Sequence, residues 1–373
     1  MLVLTAWMLA TTISLTPMFG TEVSRRIDID CESERALERA LARAEKLGEV
    51  DIYLHGVCKG NFVIATDGVT LRGATRESGL AAPAGHSSRL PVLEVVDAQA
   101  SLRGLVVQGA EVGVFVHGWD AEVLLFEVDV HDQDGAGVVA SRGAQVRLLD
   151  ATVRDGSIGI LAQSDSEVNL QNVVVNNQHV GVIVFDESFA ALNDTTIENS
   201  REAGLNVGDR SDANIIGGVF RENGQVHVNA NDWSNVTLMS DVMIGSETDT
   251  TPFALGVNRN AAIASFTTPV IYGDVSALVG GSIRLGNTVL DGNLAVVQFS
   301  NAHVRNAEIT GSVVCVDGAD AICKQTTTGG VFDCPSSSCG SATEAVGRAP
   351  SVSEFPVVEV PRFERPPRSR PRL

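Results

Sequence analysis

Lysine is nearly absent from this chain, and basic side chains are outnumbered by acidic ones. Its 373 residues carry 46 aspartates and glutamates against 27 lysines and arginines, and only Lys46, Lys59 and Lys324 are lysines. A net charge of −19 excludes the basic footprint that nucleic acid or an anionic membrane surface requires. Aromatic residues make up only 5%, so the interior has to be built from small and β-branched side chains. A long membrane-spanning run is also missing. The apolar stretch Leu2 to Leu15 is shorter than a bilayer-crossing helix and reads as the core of a secretory signal peptide over residues 1–21. No basic segment precedes it, which leaves an uncleaved anchor as the alternative. Beyond this leader the sequence offers no transmembrane span.

What the chain does have is repetition. A glycine followed by apolar residues recurs as Gly113-Val114-Phe115-Val116, Gly137-Val138-Val139-Ala140, Gly159-Ile160-Leu161-Ala162, Gly181-Val182-Ile183-Val184 and Gly204-Leu205-Asn206-Val207. The spacing of these glycines is nearly constant. A unit of about 22–23 residues cannot bury its apolar face alone and must stack on its neighbours, so the period predicts a solenoid. Two further apolar beats accompany each phrase, such as Val146/Leu148 and Val128/Val130. Each alternates with period two, the mark of a strand. Three short strands per period make one coil, and weaker coils continue to Val316, about ten turns in all.

The ends differ from the middle. Ala36, Leu37, Ala40, Leu41, Ala44 and Leu47 form one helical face, with Ser33 as cap and Gly48 as stop. This helix is expected to lie over the open end of the stack. The predicted plan is a cap over residues 22–60, coils over 61–316, a Cys-containing end segment over 317–341, and a Pro/Arg-rich disordered tail over 342–373. Six cysteines (Cys31, Cys58, Cys315, Cys323, Cys334 and Cys339) agree with a secreted or cell-surface location and allow fifteen pairings. The last four are read as disulfide partners rather than zinc ligands, because their spacing is unusual for zinc and no His lies among them.

The repeat, together with Asp30-Cys31, the Ala/Leu helix, Gly56-Val57-Cys58-Lys59-Gly60-Asn61-Phe62 and Asp67-Gly68-Val69-Thr70-Leu71-Arg72-Gly73, resembles the right-handed parallel β-helix proteins of the pectin lyase-like superfamily. The resemblance implies an all-β, right-handed parallel β-helix with an N-terminal helical cap, and a Cys31–Cys58 bridge within that cap. It does not specify activity, since the superfamily includes lyases, hydrolases, epimerases and adhesins. Uronate lyases of this fold use calcium-binding carboxylates with an Arg or Lys base, and polygalacturonases use three aspartates with a His. Neither set can be placed on this sequence.

Asp129-Val130-His131-Asp132 is the densest cluster of catalytic residue types and resembles the Asp-Pro-His-Asp motif of β-helical alginate epimerases, with Val130 in place of the proline. A His beside carboxylates suits proton abstraction next to a sugar carboxylate. The repeat register favours a turn instead, because Asp132 aligns with Gly109, Asp155, Asn177 and Asn199. An acidic column, Asp120, Asp165, Glu187, Asp209 and Asp232, marks the coil starts. It is read as a solvated edge without metal, with Ca²⁺ between neighbouring turns as the alternative. Trp119 and Trp233 stand at corners five coils apart, about 24 Å along the axis, and are the candidates for carbohydrate contact. Phe115, Val139, Leu161 and Ile183 occupy outward positions where polar residues are expected. They would form an apolar interaction ribbon, covered by the tail segment Phe355 to Val360, by a second copy of the chain or by a surface partner.

The reading favoured by these residues is a secreted or cell-surface protein, non-catalytic and without cofactor, that contacts polysaccharide or a surface protein along its flank. The alternatives are a lyase or epimerase of uronate polymers using Asp129, His131 and Asp132, and a structural spacer or assembly subunit.

Overall fold

The computed structural model describes residues 25–83, 89–267 and 269–334. The leader, Cys339 and the tail segment Phe355 to Val360 lie outside these residues. Three parallel sheets wrap one axis: sheet A with 14 strands, and sheets B and C with 13 each. Each coil passes from A to B to C, as in Val50–His55, Val57–Lys59 and Phe62–Ile64. Successive coils pair residue for residue, for example Val146 with Val168 in sheet A, Val130 with Val153 in B and Val138 with Ile160 in C. Parallel stacking puts identical positions about 4.8 Å apart, so one apolar residue per rung builds a continuous core.

The coil count corrects the expectation of about ten to about 14. Coils start at Arg25 and continue to Asp333, so both expected end segments contribute rungs to the sheets. Uneven coil length hides them. Gln145 pairs with Glu167 in the middle of the stack, whereas the later pair, Asn301 with Asp320, closes a shorter coil. The coil between them that takes Asn235 to Ala262 is longer than either.

The helix α1 spans Ala36–Leu47 and buries Leu37, Ala40, Leu41 and Ala44. It packs against Arg25–Asp30, Val50–His55 and Phe62–Ile64. Ser33 is not its cap: Arg35 takes that place in a left-handed conformation, and the Ser33 carbonyl only closes the preceding turn by accepting from the Ala36 N–H. Gly48 ends the helix at φ 77°, donating its N–H to the Ala44 carbonyl. Cys31 is bonded to Cys58 and Cys315 to Cys334, and no free cysteine stands among the described residues.

Between sheets C and A the corner is sealed by serines. The Ser166 N–H donates to Ser188 Oγ at 3.1 Å and the Ser188 N–H to Ser211 Oγ at 3.0 Å. These hydroxyls are buried, and each satisfies a turn amide of the preceding coil that no sheet bond reaches.

Candidate functional site

Sheet B is narrow, and its outer face holds the acid and base groups. In Asp129–His131 the alternation sends Val130 into the core and leaves Asp129 and His131 outside. Their neighbours on the next coil are Thr152 and Arg154. Arg154 reaches across the face with both edges of its guanidinium. Nε and Nη2 donate to Asp129 at 3.2 and 2.9 Å, and Nη1 donates to Asp155 at 2.7 Å. The hydrogen bond to Asp129, followed by that to Asp155, outweighs partial burial and raises the Arg154 pKa above its ordinary value. Its charge is committed to two carboxylates.

His131 is on the strand, not in the turn. Asp132 begins the turn with φ 62°, in the column with Asp155, Asn177 and Asn199, all left-handed as well. His131 Nδ1 lies 2.8 Å from Asp132 Oδ2, and no hydrogen bond engages Nε2 among the described residues. The structure therefore gathers Asp129, His131 and Asp132 onto one side, with Arg154 and Asp155 beside them. Open grooves flank this face. One of about 750 Å³ runs along the B–C corner past Asp134, Asp155, Asn177, His179 and Arg201. Another of about 450 Å³ runs along the A–B corner past Arg76, Glu127, Asp129 and Asp150.

The C–A corner carries the other candidates. Trp119 is 74% exposed and Trp233 65%. Trp119 is seated on backbone: a Cβ at Gly143 of the next coil would overlap its six-membered ring. Phe299, 81% exposed, lies over Gly318 of its next coil in the same way. Sequence reasoning passed over Phe299, although Phe299-Ser300 repeats Trp233-Ser234 and signals the same corner. Trp233 and Phe299 share one left-handed turn position, with φ 66° and 60°.

The acidic column at this corner needs a correction of one residue. Phe189 pairs with Asp212, so Arg210, not Asp209, stands beside Glu187. Arg210 Nη2 lies 2.5 Å from Glu187 Oε1, and Arg259 Nη1 lies 3.4 Å from Asp232 Oδ2. The edge is mixed in sign, and among the described residues no three His, Cys, Asp or Glu side chains gather as a metal site.

One buried pair escaped the sequence reading. His227 takes the position that glycine fills in the five preceding coils, and its ring is fully buried. Asn223 Nδ2 donates to His227 Nδ1 at 3.1 Å. Nε2 lies 3.1 Å from Asp249 Oδ2, outside hydrogen-bond alignment. Burial lowers the His227 pKa to about 4, against the pull of Asp249. Asp249 accepts from the Thr251 hydroxyl and from the Thr251 and Glu222 N–H groups. These bonds hold its pKa below the usual carboxylate value in spite of burial. The sequence signal was the break in the glycine phrase at Val226-His227-Val228.

Residues 112–282 match the family described as "Right handed beta helix region". Among solved structures, the chain is similar to the A-module of the Azotobacter vinelandii mannuronan C-5 epimerase AlgE6, with 15% identity and TM-score 0.55. That alignment covers 80% of this chain and 90% of that one. The AlgE4 A-module from the same organism gives 15% identity and TM-score 0.53, covering 80% and 89%. Pectate lyase Pel9A gives 10% and 0.53, covering 68% and 76%. At these identities the likeness shows a shared fold. No curated protein matches the chain by sequence. The family match over residues 112–282 and the three-sheet coil show a right-handed parallel β-helix. No helix among the described residues is long and apolar enough to cross a membrane.

Proposed function

We propose that this is an extracellular polysaccharide-contacting β-helix that holds a glycan chain along the C–A corner without cleaving or epimerising it. The observation that carries the reading is the line of exposed rings Trp119, Trp233 and Phe299 on one corner of a rigid stack. An aromatic ring exposed at this level and seated on backbone offers a flat apolar face at little entropic cost, which suits the C–H face of a sugar ring. Trp119 and Trp233 are five coils apart and Phe299 lies three coils further, so the rungs span about 38 Å. That is the reach of a chain, not of a single sugar. The two disulfides fit an oxidising, extracytoplasmic setting. The net charge of −19 favours a neutral polymer over a polyuronate. The test is affinity electrophoresis against a panel of neutral and acidic polysaccharides. Retardation by a neutral polymer, weakened about tenfold by Trp119→Ala, is the expected result. No retardation by any polymer, or a Trp119→Ala variant that binds as tightly, sinks the reading.

A lyase or epimerase is the second reading, favoured by one observation: Asp132 orients His131 while leaving Nε2 unengaged on the outer face of sheet B. A base prepared this way suits proton abstraction. The committed charge of Arg154 speaks against it, since a substrate carboxylate would need that cation. Incubation with alginate and pectate in the presence of Ca²⁺ separates the two. Unsaturated product at the ultraviolet, or a changed uronate ratio by NMR, lost in His131→Ala, would establish turnover.

A further inference from the structure

The outer face of sheet C carries an apolar cluster separate from the core. Val139, Leu161 and Ile183 alternate with the core residues Val138, Ile160 and Val182, so they point away from the axis. All three are fully buried, and Phe115 at the end of the row is half-buried. Outward residues on the other two sheets, such as Asn169 and Arg154, remain partly exposed. The buried strip continues through polar residues, Asn206, Asn229 and Ser276, so depth of cover and not side-chain type distinguishes this face. The helix packs on the first rungs, and the strands pack within their own coil and stack.

We propose that the outer face of sheet C seats the chain's own segment Phe355-Pro356-Val357-Val358-Glu359-Val360. The last strand, Phe332–Asp333, belongs to this same sheet. Seven strand spacings, about 34 Å, separate it from the strand Val180–Val184. The stretch from Cys334 to Phe355 reaches about 70 Å when extended, twice the need. Phe355, Val357, Val358 and Val360 supply apolar side chains for the cluster, while Pro356 and Pro361 prevent the segment from joining a sheet as an inner strand. Arg362, Arg365 and Arg368 follow directly, giving a net positive tail to an otherwise acidic chain.

The test compares the full chain with a truncation ending at Gly347 and with Val358→Asp, a change that leaves every residue of the described coils as it is. The readout is fluorescence of a dye that binds exposed apolar surface, with the β-sheet circular dichroism as a check on the fold. A severalfold rise in both variants, reversed in the truncation by a peptide of residues 353–362, is expected. Unchanged dye binding in monomeric truncated protein overturns the proposal. So does a rise obtained only by removing residues 1–24, or a wild-type dimer whose dissociation exposes the face.

Discussion

The carbonyl oxygen of His227 stands 2.6 Å from where a Cβ on Gly204 would lie. The same approach repeats up the stack, from Gly113 to the Gly137 carbonyl, Gly137 to Gly159, Gly159 to Gly181 and Gly181 to Gly204, at 2.5–2.7 Å. The glycine phrase is thus set by rungs that come too close for any side chain. His227 carries a side chain at this position, and the coil that follows it is a long one, carrying Val228 on to Leu255.

Gly159→Ala should therefore lower stability by about 1–3 kcal/mol, the cost of overpacking. The nearest neighbours of a Cβ at Gly208 are 4.0 Å away, so Gly208→Ala should change it by less than about 0.5 kcal/mol. Urea denaturation of the two variants gives the comparison. Equal stabilities would mean that the rungs relax freely.

His227 makes the fold sensitive to mild acid. Its folded pKa, about 4, is below the unfolded value of about 6.5, so between those limits the unfolded chain holds the extra proton. Stability is then level above pH 6.5 and falls as pH drops towards 4, by about 3 kcal/mol in total. His227→Gln should remove that slope while keeping a polar partner for Asn223. Thermal melts at half-unit pH steps decide it, and a variant as steep as the wild type would put the acid sensitivity elsewhere.

The glycine phrase and the two other beats were legible because parallel stacking writes each core position once per coil, as in Val138, Ile160 and Val182. Asn301 and Asp320 were not recognised as partners, since the late coils are shorter than the middle ones and leave their rhythm. Asp209 was placed one residue out of register, in the position that Arg210 holds, because corner positions are solvated and accept any polar type. Trp119 was readable as a corner residue, but its seat on Gly143 depends on the adjacent rung, and so does the place of His227 beside Asp249. Neighbours that meet only through folding leave no periodic trace.

The bridge Cys31–Cys58 ties the end of the strand before the helix to the second strand after it, Val57–Lys59, across 27 residues of sequence. Replacing both cysteines with serine should cost about 2–5 kcal/mol. The loss should be local. Hydrogen exchange should speed up across Arg25–Asp30 and the helix, while Asn301–Arg305 near the other end keeps its protection. Uniform acceleration along the stack would show one cooperative unit instead.

Calcium gives the last test, because the C–A corner is where neighbouring coils bring carboxylates together. Two like charges about 5 Å apart repel by only about 1 kcal/mol in water, so their repulsion does not by itself require a metal. The arginines reduce even that, Arg210 against Glu187 and Arg259 against Asp232. A Ca²⁺ ion needs six to eight oxygens, and each neighbouring guanidinium repels it. Millimolar Ca²⁺ or a chelator should then leave the wild-type melting temperature within about 1 °C, since ligand binding to the folded state would raise it. Arg210→Ala frees Glu187 and is the variant in which a calcium response should first emerge. A wild-type response of several degrees would show that the corner collects the cation despite its arginines, and would restore the metal reading of this edge.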